Sequence, residues 1–168
     1  QAVGYKNNLT FTYGETKAEF KLNSTAKTIY TKGQTTASLK LTTTLTDKVT
    51  WTSSNKKVAT VNSKGVVTAK AKGTAVITAT CGEYKATCKV TVKNPSLKLT
   101  KTSASVKVGK TTKITAKVTP SGKITYKSSN SKIATVSSKG VVKGKKKGTA
   151  KITVTCNGVK KVFTVTVK

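Results

Sequence analysis

Short runs of alternating apolar and polar residues follow one another along the chain, and none keeps a helical period. Alternation puts successive side chains on opposite faces, so each run marks a half-buried β-strand. Leu9–Tyr13 alternates first, with Phe11 and Tyr13 on the same face and Tyr5 just before it. Phe20–Leu22, Thr28–Tyr30, Leu39–Leu41, Val49–Trp51, Val58–Val61 and Thr74–Cys81 are the next predicted strands. Leu97–Leu99, Ser105–Val108, Ile114–Val118, Ile124–Tyr126, Ile133–Val136 and Thr149–Cys156 repeat the plan further on. Valine and threonine dominate throughout, as side chains that fit a pleated surface.

The punctuation between runs has physical reasons. Ser53–Asn55 and Ser128–Asn130 can bond their own backbone and so form turns. Ser63–Gly65, Ser138–Gly140, the Lys32-Gly33 pair and Gly109 are further turns, where glycine can take positive φ. Asn157-Gly158 is a strong two-residue hairpin signal, and Gly82-Glu83 suits the other primed turn because glycine comes first.

One stretch occurs twice. Residues 51–93 align with 126–168 at a constant offset of 75, without gaps and with 26 of 43 positions identical. A gapless repeat of this length means two copies of one folded unit. The predicted organisation is an N-terminal extension or the end of a preceding domain at 1–19, one domain at 20–94 and a second at 95–168. Asn94-Pro95 is the linker. Proline has a fixed φ and holds its predecessor extended, so a tight, semi-rigid joint is expected. Units of about 75 residues bury only about 60% of their unfolded surface and need an economical core, which a β-sandwich provides.

Charge changes the picture next. All 33 basic residues are lysine, against four acids (Glu15, Glu19, Asp47, Glu83), for a formal net charge of +29. Residues 95–168 hold 18 lysines and no acid. Such a surface attracts polyanions at long range. Arginine, which makes bidentate contacts to guanine and phosphate, is absent, so sequence-specific nucleic-acid recognition is not expected. Anionic cell-wall polymers or a membrane surface fit as well. The plainer role of lysine is to keep exposed strand faces soluble and their edges unpaired. The sharpest candidate site is Lys143, Lys145, Lys146 and Lys147, because copy one carries only Lys70 and Lys72 across the aligned stretch, so the added charge is not needed for the fold.

Catalytic chemistry finds little support. Histidine is absent, which removes Ser-His-Asp and Cys-His arrangements. Paired carboxylates for glycoside hydrolysis need two acids near one bond, and the second copy has none. Calcium wants several oxygen ligands, and zinc wants more than three scattered cysteines, so neither a metal nor a cofactor is expected. If Gly82-Glu83 closes a two-residue hairpin, Cys81 faces Tyr84 and Ile77 faces Cys88. Cys81 and Cys88 then lie four rungs apart at roughly 3.3 Å per residue, too far for a disulfide, whose Cα atoms stand within ~7 Å. Cys81, Cys88 and Cys156 are expected as buried or half-buried free thiols. No apolar run is long enough to span a membrane, and Gln1 reads as the start of a piece of a longer chain.

The recurring motifs resemble the bacterial immunoglobulin-like domain of group 2. They are an aromatic before Ser53–Asn55 or Ser128–Asn130, then Val58–Val61 or Ile133–Val136, Ser63–Val67 or Ser138–Val142, Lys72–Ala75 or Lys147–Ala150, and closing Val90–Lys93 or Val165–Lys168. The resemblance covers roughly residues 20–168. It implies an all-β fold of two tandem Ig-like β-sandwich domains with a short N-terminal β extension. It also implies noncatalytic modules of a bacterial surface protein of the invasin or intimin kind, extracellular, in which the pair is a stalk. The expected partners are a host surface protein or glycan, or an anionic cell-wall polymer if the pair is an accessory module of a secreted enzyme. A third possibility is host-protein binding through Tyr5, Phe11 and Tyr13, because exposed aromatics often anchor interfaces.

Overall fold

A long antiparallel hairpin forms the centre of each half of the molecule. The computed structural model describes residues 17–168. Tyr5, Phe11 and Tyr13 therefore lie outside the described residues. In the first half the strands are β1 (Phe20–Leu22), β2 (Ala26–Tyr30), β3 (Thr36–Ser38), β4 (Leu41–Thr43), β5 (Thr50–Ser53), β6 (Ala59–Val61), β7 (Val66–Ala69), β8 (Gly73–Cys81) and β9 (Tyr84–Lys93). The second half follows with β10 (Ser96–Leu99), β11 (Ser103–Val106), β12 (Thr111–Lys113), β13 (Ala116–Thr119), β14 (Thr125–Ser128), β15 (Ala134–Val136), β16 (Val141–Gly144), β17 (Gly148–Cys156) and β18 (Val159–Val167).

Each half is a sandwich. One layer is a four-stranded sheet, β2-β9-β8-β5 or β11-β18-β17-β14. The other combines a three-stranded sheet, β3-β7-β6 or β12-β16-β15, with a two-stranded pair, β1-β4 or β10-β13. The alternation seen in sequence is the alternation of burial. Ala75, Ile77, Ala79 and Cys81 point inward from β8, and Ala150, Ile152, Val154 and Cys156 do the same from β17. Each sandwich closes around its own cluster, with Ile29, Leu39, Ile77 and Val90 in one and Ile114, Ile152, Phe163 and Val165 in the other. Burying a side chain of this kind is worth about 1.5–3 kcal/mol.

Three predicted strands need correction. Leu39–Leu41 and Ile114–Val118 are not single strands. At Leu39 and Ile114 the chain leaves the three-stranded sheet (β3, β12) and enters the two-stranded one (β4, β13). Leu39 and Ile114 are buried at this crossing, and their N–H groups donate to Gly65 and Gly140 carbonyls, each at 2.9 Å. Alternation records inward-facing residues but not a change of hydrogen-bonded partner. The strand expected at Ser105–Val108 is Ser103–Val106, and Val108 stands half out of the surface beyond it, 49% exposed.

The ladders also show that the two copies are not in one register throughout. Ala26 pairs with Lys89, and Ser103 pairs with Thr164, so β2 and β11 are offset by 77 while β9 and β18 are offset by 75. The difference sits in one loop. Thr31 N–H donates to the Lys93 carbonyl as Val108 N–H does to Lys168, and Ala69 N–H donates to Thr35 as Gly144 N–H does to Lys110. Between these anchors the first copy has Lys32, Gly33 and Gln34 where the second has Gly109 alone.

That longer loop meets the second sandwich. Gly33 sits at φ 85°, and a Cβ there would stand 2.8 Å from Asn157 Cγ and 2.9 Å from Pro120 Cγ. The Lys32 side chain lies against Gly158. Asn157 takes φ 49° in the hairpin turn, and its Nδ2 donates to the Pro120 carbonyl at 2.8 Å. Thr31 Oγ1 donates to Asn94 Oδ1 at 3.0 Å, tying the linker to the same loop.

Candidate functional site

The lysines singled out in the sequence lie at the far end of the second sandwich. Lys143 faces solvent from β16, between Thr111 on β12 and Thr135 on β15. Lys145, Lys146 and Lys147 form the exposed link to β17, and the Lys145 N–H anchors it to the Ile133 carbonyl at 2.7 Å. Gly144, between them, is buried. A Cβ there would press on Val167, Val106 and the Lys107 carbonyl. Its N–H donates to Lys110 O, and its carbonyl accepts from Gly109 N–H.

This stitching brings exposed Lys107 and Lys110 to the end where Lys143 and Lys145–Lys147 stand, and Lys168 joins them through its carbonyl's bond with Val108. Sequence reasoning missed these three. The signal was available in principle, because pairing β12 with β16 places the loop before β12 beside the loop after β16. Among the described residues one ion pair is formed, Lys21 with Glu19, and it belongs to the other sandwich.

The remaining candidate chemistry stays apart. Among the described residues no three His, Cys, Asp or Glu side chains gather as metal ligands. Cys81, Cys88 and Cys156 are all buried free thiols. The ladder puts Cys81 opposite Tyr84 and Ile77 opposite Cys88, as the hairpin register required. Burial pushes the Cys88 thiol pKa up, and the nearby Lys27 ammonium partly opposes that shift. Burial likewise raises the Tyr126 phenol. Trp51 and Tyr126 hold equivalent places and cover equivalent glycines. A Cβ on Gly65 would stand 2.8 Å from the Trp51 ring, and one on Gly140 would stand 2.8 Å from the Tyr126 ring. Trp51 also walls a shallow hollow of about 280 Å³ with Ser53, Lys56 and Thr60.

Two sandwiches joined end to end define a tandem Ig-like pair. The chain belongs to the bacterial Ig-like domain (group 2) family, whose profile matches residues 18–92 and again residues 93–167. Among solved structures, the S-layer protein rSbsC(31-844) is 26% identical over 89% of this chain and 28% of that one, with a TM-score of 0.47. Domains 4 and 5 of SbsC are 26% identical over 89% of this chain and 97% of theirs, with a TM-score of 0.46. An intimin mutant from EHEC O157:H7 is 28% identical over 44% of this chain and 39% of that one, with a TM-score of 0.34. The chain thus spans less than a third of the longer S-layer chain it resembles. A comparison with curated proteins found no match. Among the described residues no helix is long and apolar enough to cross a membrane.

Proposed function

We propose that this chain is a rigid, noncatalytic spacer of an extracellular bacterial surface protein, with domains at 20–94 and 95–168 holding a further module away from its base. The observation that supports it is the joint. The loop Lys32–Gln34 stands where the second copy has Gly109 alone, and Asn157 and Pro120 stand where the first copy has Gly82 and Leu45, so both sides of the contact are built where the repeat differs. A two-residue linker between β9 and β10, tied by Thr31 to Asn94, leaves little slack. Residual dipolar couplings from both domains test this. A single alignment tensor is expected, and two independent tensors would overturn the reading.

The gathered lysines favour a second reading, contact with an anionic wall polymer at the far end of the second domain. Charges that repel in the absence of any acid are best compensated by an anionic partner. Retention of the protein on purified teichoic-type polymer is expected to fall after charge reversal of Lys145, Lys146 and Lys147, and to be lost in high salt. Equal retention of wild type and variant would reject it. Binding of a host protein through Tyr5, Phe11 and Tyr13 is tested by pull-down with and without residues 1–19.

A further inference from the structure

Asn157-Gly158 is the one Asn-Gly pair in the chain. It closes the β17–β18 hairpin between Cys156 and Val159, with both residues at positive φ (49° and 76°), as a type I′ turn requires. An asparagine before glycine carries its own chemistry. Glycine has no side chain to shield its backbone nitrogen, which is then free to reach the asparagine Cγ. The first copy has Gly82-Glu83 at the same turn and holds no such pair.

The turn lies in the joint between the sandwiches, and the joint holds the reacting group. Asn157 is half-buried, and its Nδ2 donates to the Pro120 carbonyl at 2.8 Å. A glycine from each domain closes on the carboxamide. A Cβ on Gly33 would stand 2.8 Å from Asn157 Cγ and Oδ1, and one on Gly122 would stand 2.7 Å from Oδ1 and 3.1 Å from Nδ2. Attack by the Gly158 nitrogen needs the two reacting atoms aligned and in contact. Turning Cγ into that position breaks the bond to Pro120 and presses the carboxamide on Gly33 and Gly122. Gly158 itself is exposed, so water reaches the turn.

We infer that Asn157 is a site of spontaneous deamidation, a reaction that the closed joint holds back and whose product leaves the joint open. This rests on the rigid joint proposed above. The Gly158 nitrogen bonds to Asn157 Cγ, and the Cγ–Nδ2 bond breaks. Nδ2 leaves as ammonia with the Gly158 amide proton, and a five-membered succinimide remains. One water then opens the ring. Cleavage at Cγ gives aspartate, and cleavage at the main-chain carbonyl carbon of residue 157 gives isoaspartate. Either product ends in a carboxylate, which has no proton to donate to the Pro120 carbonyl and repels it. Isoaspartate also lengthens the main chain of the turn by one carbon. The exposed Lys32, whose side chain lies against Gly158, offers a counter-charge, but pairs at the surface are weak.

The test incubates the tandem protein near neutral pH, folded and in concentrated urea. Peptide mass spectrometry with isoaspartate methyltransferase labelling follows residue 157. Deamidation is expected to be about tenfold or more slower in the folded protein, because it proceeds only through local opening. Reducing Lys32–Gln34 to a single glycine copies the loop that already folds around Gly109, so it opens the joint and keeps both domains folded. That variant is expected to deamidate close to the unfolded rate, and Gly33→Ala to approach it. Equal folded and unfolded rates in the wild type, or wild-type rates in both variants while they stay folded, would overturn the proposal. Residual dipolar couplings of Asn157→Asp are expected to need two alignment tensors. A single tensor there, with a single tensor in the wild type, overturns the effect of the product on the joint. Two tensors in the wild type itself remove the rigid spacer, and the ratio of folded to unfolded rates still decides whether residue 157 is held back.

Discussion

Cys88 and Phe163 occupy one position in two ladders, Cys88 opposite Ile77 and Phe163 opposite Ile152. Both are buried, at 0% and 2% exposure, yet their volumes differ greatly. The companion position on the neighbouring strand changes the other way, from Lys27 to Ala104. Phe163→Ala should therefore destabilise the second domain by about 3–5 kcal/mol, through lost apolar burial and the cavity left behind. Cys88→Phe should destabilise the first by about 1–3 kcal/mol through overpacking. Adding Lys27→Ala should recover part of that loss, with a coupling of about 0.5–3 kcal/mol. Urea unfolding of single and double variants measures each value.

The thiols carry a pH signature. Cys88 in the folded state holds its proton to higher pH than in the unfolded chain. Above the ordinary thiol value of about 8.5 the unfolded state releases a proton that the folded state keeps. Stability should be unaffected below that pH and fall as pH rises through the window up to the folded value. Tyr126 adds a fall of the same sign at higher pH, starting near the ordinary phenol value of about 10. Urea midpoints between pH 7 and 11 should decline less steeply for Cys88→Ala. Thiol titration should find all three cysteines unreactive in the native protein and reactive once it is unfolded.

The Ser128 hydroxyl donates to the Ala134 carbonyl at 2.7 Å, and Ser53 does the same to Ala59 in the first copy. Each hydroxyl also accepts the N–H of the asparagine two residues on, Asn130 or Asn55. Ser128→Ala should cost about 0.5–1.5 kcal/mol. The effect should appear in the second domain's thermal transition and leave the first domain's unchanged.

Gly33→Ala places a methyl group against Asn157 and Pro120 in a left-handed backbone conformation. That conformation costs roughly 1–2 kcal/mol for a residue with a Cβ. The first domain should lose about that much stability, and the two domains should lose their common alignment. Gly82→Ala is a useful control, because a Cβ there meets nothing within 4 Å. It should leave the alignment intact.

The strands and the hairpin register were legible because they rest on period-two burial and on turns set by glycine and asparagine. That register set Cys81 too far from Cys88 for a disulfide, and the repeat aligned Cys88 with Phe163 as a core position. The changes of sheet at Leu39 and Ile114 were hidden, since a residue buried at a crossing has the same alternation as one within a strand. The two extra residues among Lys32–Gln34 were hidden too, because the clear repeat begins only at Trp51. Lys143 and Lys145–Lys147 stood out as a local run. Lys107, Lys110 and Lys168 join that end only through backbone bonds to distant residues, which no linear count reveals.

The parallel pairing of β2 with β9, and of β11 with β18, has a mechanical consequence. Edge strands β2 and β11 each run parallel beside an inner neighbour, so tension on the ends slides the two past each other in shear. All rungs of a pair then carry the load together, instead of opening one at a time. The first domain has five such rungs, Ala26–Tyr30 against Lys89–Lys93, and the second has four, Ser103–Val106 against Thr164–Val167.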